Sequence, residues 1–329
     1  MELTVTMPDG TEVGMVEVAS GDFEWGVSDN SFQVTVRAGD AMDIPDGSAL
    51  HDPASGVGGL VLGREATWGA RAVALSGVTW AGVIDGHVIG PDPGHAYLSA
   101  SGDVSDVIST LLSRMGLLGP FRVAGGRVGV QVSHTFTGSR DAAQQDSGRY
   151  MGGWTAIWQL LLASGCSCDF RRRAGVVELL PHRARDLTDA EAVSAGVVIV
   201  TSRRTRPTNH LVCLGKGELA DRQVAHVYAD AKGAVSATQT LFGAEELAET
   251  YEAATADDLV TAGMSRLRKL QAAASSVRVS VREGVTCSVG DVVGGTDPTT
   301  GEAARAIVTG AIARVGVCGF EYEYKTTER

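Results

Sequence analysis

The spacing of apolar residues changes along the chain, and this limits the folds open to it. In residues 1–100, apolar and polar residues alternate in short runs that end at turn residues such as Pro8, Asp9 and Gly10. A period of two is typical of half-buried strands. Strands this short, separated by turns, favour a small barrel or sandwich. The predicted strands are residues 3–7, 13–18, 32–36, 60–62, 72–75 and 78–84.

The period then changes from two to that of a helix. Apolar residues recur three and four positions apart between Val104 and Met115, which predicts a helix capped by Ser101 or Asp103 and ended by Gly116. A second helix is predicted over residues 150–163, with Trp154 and Trp158 on its apolar face. Residues 166–172 and 176–180 then predict a hairpin. This middle segment is therefore expected to be α/β.

Alternation returns near residue 197 and continues to residue 325, interrupted by one long helix. Thr255 and Asp258 resemble a capping box, and the apolar residues that follow predict a helix over about 256–273. The expected fold class is α+β, mostly β, with two small barrel-like domains and an α/β insert between them. The predicted domains are residues 1–99, 100–182 and 183–329. The predicted strands here are 197–201, 209–214, 223–228, 234–240, 276–282, 286–293, 304–317 and 320–325.

Charge is unevenly distributed over the 329 residues, whose net charge is −11. Residues 1–110 carry −13, residues 111–206 carry +6 and residues 207–329 carry −4. An acidic chain repels nucleic acid and anionic membranes on average. The basic middle segment either binds a polyanion or neutralises the acidic first segment of the same or a neighbouring copy, and we favour the second. The run 171–173, three arginines, is expected at a solvated turn.

The sequence predicts neither export nor a membrane span. No basic region followed by an apolar run opens the chain, and no stretch approaches 18 apolar residues. The five cysteines include no C-x-x-C pair, which predicts free thiols in a reducing cytoplasm rather than disulfides or a zinc site. They are Cys166, Cys168, Cys213, Cys287 and Cys318.

No motif reaches the specificity of an enzyme signature. The seven histidines are scattered, and residues 165–169 only echo a nucleophile elbow. The glycines at 125, 126 and 129 are explained by a hairpin turn better than by a dinucleotide loop. Glu321 and Glu323 are interpreted as a solvated strand face, and Trp154 with Trp158 as core rather than a sugar platform. We therefore predict no catalytic, cofactor-binding or metal-binding residues, no cofactor and no enzymatic activity.

Residues 77–91 (GVTWAGVIDGHVIGP), with segments later in the chain, resemble the baseplate hub family of long-tailed bacteriophages, the tail hub proteins. In that family this segment is a strand–turn–strand. Residues 206–218 (RPTNHLVCLGKGE) and 221–228 (DRQVAHVY) resemble the entry into the second barrel of the hub. Four later segments resemble the closing strands of that barrel: residues 289–294, 300–301, 306–309 and 322–325.

The resemblance implies a structural hub at the tip of a phage tail. Such a protein forms a homotrimeric ring that joins the tail tube to the distal tail apparatus and surrounds the DNA path. The implied partners are further copies of the chain, the distal tail or tube protein, the tape measure, and fibre or tip proteins. DNA would pass without specific binding, and an acidic lumen would repel its phosphates. The protein would be made in the host bacterial cytoplasm and reside in the virion.

Two alternatives from other classes remain open at the level of sequence. A virion-associated peptidoglycan or glycan hydrolase requires convergent acids, or a Cys/His or metal cluster. A carbohydrate-binding module requires exposed aromatic side chains. A zymogram on bacterial cell wall would test the first, and a glycan-binding screen would test the second.

Overall fold

The computed structural model describes residues 1–137, 149–173, 175–188, 197–203, 207–253, 258–273, 275–281, 287–296, 303–317 and 319–328. The described chain is mostly strand with a few helices, so the expected fold class, α+β and mostly β, is confirmed. Contacts divide it into two compact units. The first unit contains residues 1–199 and 279–327, and the second unit contains residues 200–278. The division at residues 99 and 182 stays a prediction.

Six strands of the first unit close into a barrel. They are β1 (Glu2–Thr6), β2 (Glu12–Gly26), β3 (Ser31–Arg37), β4 (Ala49–His51), β5 (Gly58–Ala66) and β6 (Ala72–Thr79). Each pairs antiparallel with the next in the order β1, β4, β5, β6, β3, β2, and β2 returns to β1. Every second residue points inward, and side chains such as Phe23, Val34 and Leu75 fill the interior. A short helix, α1 (Ala38–Met42), follows β3.

The strand predicted at 78–84 is wrong from residue 80 onward. The chain leaves β6 at Thr79 and forms helix α2 (Trp80–Asp85), which buries Trp80, Ala81 and Ile84. These positions lie on one helical face. The run 80–84 is apolar throughout, so its pattern does not distinguish a buried strand from a buried helical turn.

A second group of six strands continues the same sheet. It consists of β14 (Asp186–Thr188), β15 (Val197–Arg203), β20 (Ser275–Val281), β21 (Val292–Thr296), β22 (Ala303–Val315) and β23 (Phe320–Glu328). Their order is β14, β21, β22, β23, β20, β15. The described pairings do not join the two ends of this row, so its closure into a second barrel stays a prediction.

The long strand β22 connects this row to the barrel. Its residues 303–307 pair with β21, and its residues 310–314 pair with residues 22–26 of β2. Both pairings are antiparallel, and β23 is the further neighbour of β22. A continuous ladder of backbone hydrogen bonds therefore runs from the first barrel into the second group of strands.

The helices and small sheets between these two groups agree with the predicted α/β segment. Helices α3 (Val104–Arg114) and α4 (Gly153–Ser164) and the hairpin of β12 (Cys166–Arg173) and β13 (Val176–Arg183) are confirmed. Asp103 caps α3 by accepting the backbone N–H of Ser105 at 3.0 Å. The other short strands are β7 (Val88–Ile89), β8 (Leu98–Asp103), β9 (Phe121–Val123), β10 (Gln131–Phe136) and β11 (Met151–Gly152); β7 pairs with β11, β8 with β10, and β9 with β13.

The second unit is a four-stranded sheet covered on one face by a helix. Its strands are β16 (His210–Leu214), β17 (Val224–Ala229), β18 (Val235–Ser236) and β19 (Ala248–Glu252), in the order β18, β17, β16, β19. Helix α5 (Leu259–Ala273) packs on Leu211, Cys213 and Val227. Asp258 caps it, whereas Thr255 lies outside the described residues. The strand predicted over 234–240 is limited to β18.

Candidate functional site

The hairpin of β5 and β6 carries an apolar side chain into solvent. The end of β5, residues 64–66, is exposed, and at the tip of the hairpin Trp68 is fully exposed. Arg64 fixes the neighbouring helix by donating to the carbonyl oxygen of Ala41 at 2.7 Å, and Met42 at the end of that helix is also exposed. An indole and a thioether on adjoining elements are side chains that protein interfaces bury.

The ion pairs show where part of the basic middle segment is neutralised. Arg114 pairs with Asp92, and Arg127 pairs with Asp106, both at 2.8 Å. These acids belong to the acidic first segment of the same copy. Within the described part of the chain, several exposed acids of the barrel segment make no ion pair, so this segment keeps a surplus of negative charge. Examples are Glu2, Glu12, Asp43 and Glu65.

The arginine run at 171–173 does not lie at a turn, contrary to the sequence interpretation. It lies in β12, where Arg173 is paired directly with Val176 of β13. Arg171 and Arg122 both bind the carboxylate of Glu178, which is only 3% exposed. Arg172 lies over the ring of Trp80, 5.4 Å from its centroid. Two of the three charges are therefore used inside the first unit.

Five aromatic side chains line a cavity of about 320 Å³ in the first unit. They are Trp25, Trp80, Phe170, Tyr322 and Tyr324. Glu321 and Glu323 alternate with the two tyrosines and are exposed, and Glu323 pairs with Arg314. The solvated strand face expected for the two glutamates is thus confirmed. The cavity could not be predicted from the sequence, because its walls come from six separate regions of the chain.

The polar groups beside this cavity are engaged with one another. Nε2 of His182 lies 3.1 Å from Oδ2 of Asp169, and Nδ1 lies 2.9 Å from the carbonyl oxygen of Arg183. The bond to Asp169 raises the pKa of His182. Burial raises the pKa of Asp169, but hydrogen bonds from His182 and Ser288 outweigh this and leave it below its ordinary value. Since both ring nitrogens have partners, His182 has no nitrogen left to activate a nucleophile.

The echo of a nucleophile elbow is part of a strand, as the sequence indicated. Ser167 is buried in β12 and donates to the carbonyl oxygen of Val289 at 2.7 Å. Burial raises the pKa of the Cys168 thiol, and it raises the pKa of Cys287 to about 11. Cys166 and Cys213 are likewise free and buried, while Cys318 lies outside the described residues. Protonated, buried thiols are poor nucleophiles.

The glycine-rich loop at 125–129 is not a hairpin turn, because it joins β9 and β10, which belong to different sheets. The carboxylate of Asp103 organises it by accepting the backbone N–H groups of Val128 at 3.3 Å and Gly129 at 2.8 Å. Burial raises the pKa of Asp103, but these bonds and those from Ser105 hold it below its ordinary value. The loop amides that a phosphate would need are therefore occupied by an internal anion.

Trp154 and Trp158 are buried in the core, as predicted, and provide no sugar platform. Nε1 of Trp154 donates to the carbonyl oxygen of Gly26 at 2.8 Å, and its ring contacts Phe170 with centroids 5.2 Å apart. Helix α4 is thereby attached to the end of β2.

Two histidines that are distant in sequence meet on the sheet of the second unit. Nε2 of His210 lies 2.8 Å from Nδ1 of His226, and Nδ1 of His210 binds Glu246. Their separation of sixteen residues gives no recognisable motif. Only the register of β16 against β17, which places His210 opposite Tyr228, brings the two rings together.

Among the described residues, no three His, Cys, Asp or Glu side chains are grouped so as to enclose a metal ion. In the same residues, no helix is long and apolar enough to cross a membrane.

The order and pairing of these elements can be compared with known proteins. No protein-family model matches the sequence, and no curated protein matches it. Solved structures do match.

One similar structure is the tail protein from Neisseria meningitidis MC58, with 15% identity, a TM-score of 0.45, and coverage of 100% of this chain and 96% of that one. Another is the prophage tail protein gp18 from Listeria monocytogenes EGD-e, with 10% identity, a TM-score of 0.48, and coverage of 100% and 94%. A third is the prophage MuSo2 43 kDa tail protein from Shewanella oneidensis, with 12% identity, a TM-score of 0.45, and coverage of 100% and 96%. All three are described as tail proteins.

Proposed function

We propose that this chain is a structural hub at the tip of a phage tail. Three copies form a ring that joins the tail tube to the distal tail apparatus and surrounds the path of the DNA. The partners are further copies of the chain, the distal tail or tube protein, the tape measure, and fibre or tip proteins. The protein acts through its shape and its contacts and catalyses no reaction. It is made in the host bacterial cytoplasm and resides in the virion.

The observation that carries the proposal is the ladder through β22. It joins a closed six-stranded barrel to a second group of six strands in the same chain. Three copies would present six such groups around an axis, which suits a contact with a hexameric tail tube. A ring subunit needs a stiff connection between its two groups of strands. The hydrogen bonds along β22 provide it, because paired strands, and not merely a loop, join the two groups.

Surface chemistry supports contacts between copies. Trp68 and Met42 place apolar side chains in solvent on adjoining elements. The acidic barrel segment of one copy and the basic middle segment of the next are complementary, which favours docking in one orientation. Acids left without an ion pair also suit a surface along which DNA slides, because phosphates are repelled.

The oligomeric state of the full chain tests this proposal. Light scattering after gel filtration should give three times the chain mass of 34.2 kDa, and negative-stain images should show a three-fold ring. Trp68→Glu should shift the protein toward the monomer. Leu219→Ala is the matched control, because Leu219 is also almost fully exposed but lies in the second unit. A monomer at every concentration tested, or a ring of another symmetry, would contradict the proposal.

A further inference from the structure

The meeting of His210 and His226 is fixed by the sheet of the second unit. The register places Val212 opposite His226 and His210 opposite Tyr228, so the two histidines are diagonal neighbours on one face. Helix α5 packs on the other face. His210 is mostly buried and stacks on Tyr228 with ring centroids 4.5 Å apart, whereas His226 is exposed. One ring is thus held in place and the other is free to adjust.

The hydrogen bonds determine which nitrogen carries each proton. Nδ1 of His210 donates to Oε1 of Glu246, so Nε2 of His210 carries a lone pair. That lone pair accepts the proton on Nδ1 of His226. A carboxylate that accepts from the far nitrogen of a histidine fixes its tautomer and raises the basicity of the near nitrogen, as in the outer shell of metal sites.

Glu246 is itself held in position by a buried side chain. Nδ2 of Asn209 donates to the carbonyl oxygen of Glu245 at 2.7 Å, and Oδ1 of Asn209 accepts the backbone N–H of Leu247 at 2.9 Å. Both residues that flank Glu246 are therefore bound to one amide. The carboxylate that orients His210 does not depend on a freely moving loop.

We propose that Nε2 of His210 and Nδ1 of His226 bind a divalent transition-metal ion in adjacent positions, with water completing its coordination. Metal–nitrogen bonds of about 2.0–2.1 Å at a right angle separate the two nitrogens by about 2.9 Å, close to the observed 2.8 Å. Imidazole nitrogen suits Ni²⁺ and Cu²⁺, which accept ligands at a right angle in square-planar or octahedral geometry.

Binding requires a change of tautomer at His226 and a turn of its exposed ring, so that the lone pairs of both nitrogens converge on the ion. Its proton moves from Nδ1 to the exposed Nε2, the hydrogen bond between the two rings is lost, and two metal–nitrogen bonds replace it. This proton stays on the same ring, so the change of tautomer releases none. Glu246 keeps its hydrogen bond to His210 throughout.

Calorimetric titration of the untagged full chain with Ni²⁺ tests the site. We expect one Ni²⁺ ion per chain. His226→Gln should abolish this binding and leave the fold intact, because the side chain is exposed. Glu246→Gln should weaken it about 10-fold to 100-fold. His95→Gln is the matched control and should bind as the unaltered chain does, since His95 is an exposed histidine of the first unit.

The position of the ion is tested separately by its paramagnetism. Substoichiometric Cu²⁺ should first broaden the amide NMR signals of Val212, His226 and Tyr228. Equal Ni²⁺ binding by His226→Gln and the unaltered chain would overturn the proposal. So would the absence of binding, or broadening centred elsewhere in the chain. None of these readouts depends on ring assembly, so the site and the proposed function can fail independently.

Discussion

Two tryptophans of opposite environment give a sharp test of how this fold is stabilised. Trp154 is 1% exposed, and its indole N–H is bonded to the carbonyl oxygen of Gly26, whereas Trp68 is fully exposed. Truncating a buried tryptophan to alanine costs about 3–5 kcal/mol. The unpaired carbonyl adds about 1 kcal/mol. Trp154→Ala should therefore lower the free energy of unfolding by about 4–6 kcal/mol.

The same substitution at Trp68 should change the free energy of unfolding by less than about 0.5 kcal/mol, because no core contact is lost. With a urea dependence of about 3 kcal/mol per molar, Trp154→Ala should move the midpoint down by about 1.5 M. Trp154→Phe keeps most of the ring and should lose about 1–2 kcal/mol.

Urea unfolding followed by circular dichroism, at a concentration where all variants share one oligomeric state, measures these differences. The proposed assembly predicts the reverse order for the mass measured by light scattering. Trp68→Ala should lower that mass, whereas Trp154→Ala should not. A loss below 1 kcal/mol for Trp154→Ala, or equal losses for both alanine variants, would refute the reasoning from burial.

Two further predictions concern a buried histidine and the carboxylate of the glycine-rich loop. Burial, together with the charge of Arg172, lowers the pKa of His51 to about 4. The unfolded chain then binds a proton that the folded chain does not, so stability should fall by up to about 3 kcal/mol as the pH drops from about 6.5 to 4 and then level off. His51→Gln should flatten this part of a urea-midpoint profile against pH, and an unchanged slope would argue against His51. Asp103→Ala frees the amides of Val128 and Gly129 and should speed their hydrogen exchange about fivefold to tenfold, whereas unaltered exchange would show that the loop is held by other contacts.

Elements with a strong local pattern could be predicted from the sequence. The apolar stripe from Val104 to Leu112 and the cap at Asp103 defined α3, and the hairpin of β12 and β13 followed from alternation around one turn. Where the pattern was ambiguous, the prediction failed. The apolar run beginning at Trp80 forms a helical turn, because its buried positions fall on one helical face beside the end of β6.

Features that depend on long-range pairing could not be predicted. Nothing near Trp25 indicates that its strand meets residues close to Ala311, although the two are directly paired. The same is true of the aromatic cavity, whose Trp25 and Tyr322 are almost three hundred residues apart. His210 and His226 required the register of two strands, which the scattered histidine spacing did not reveal. The sequence indicated that Arg172 is a solvated charge, whereas in the structure its guanidinium lies over the ring of Trp80.

The pairing of β2 with β22 also has a consequence during synthesis. Residues 22–26 leave the ribosome long before residues 310–314. In that interval β2 can pair with β1 and β3, but the edge that faces β22 has no native partner. An unpaired strand edge of this kind can recruit the wrong chain. We expect nascent or truncated products that lack β22 to aggregate through this strand. Charged or proline substitutions in residues 22–26 should reduce that aggregation, but they should also weaken the pairing of β2 with β22 in the complete protein.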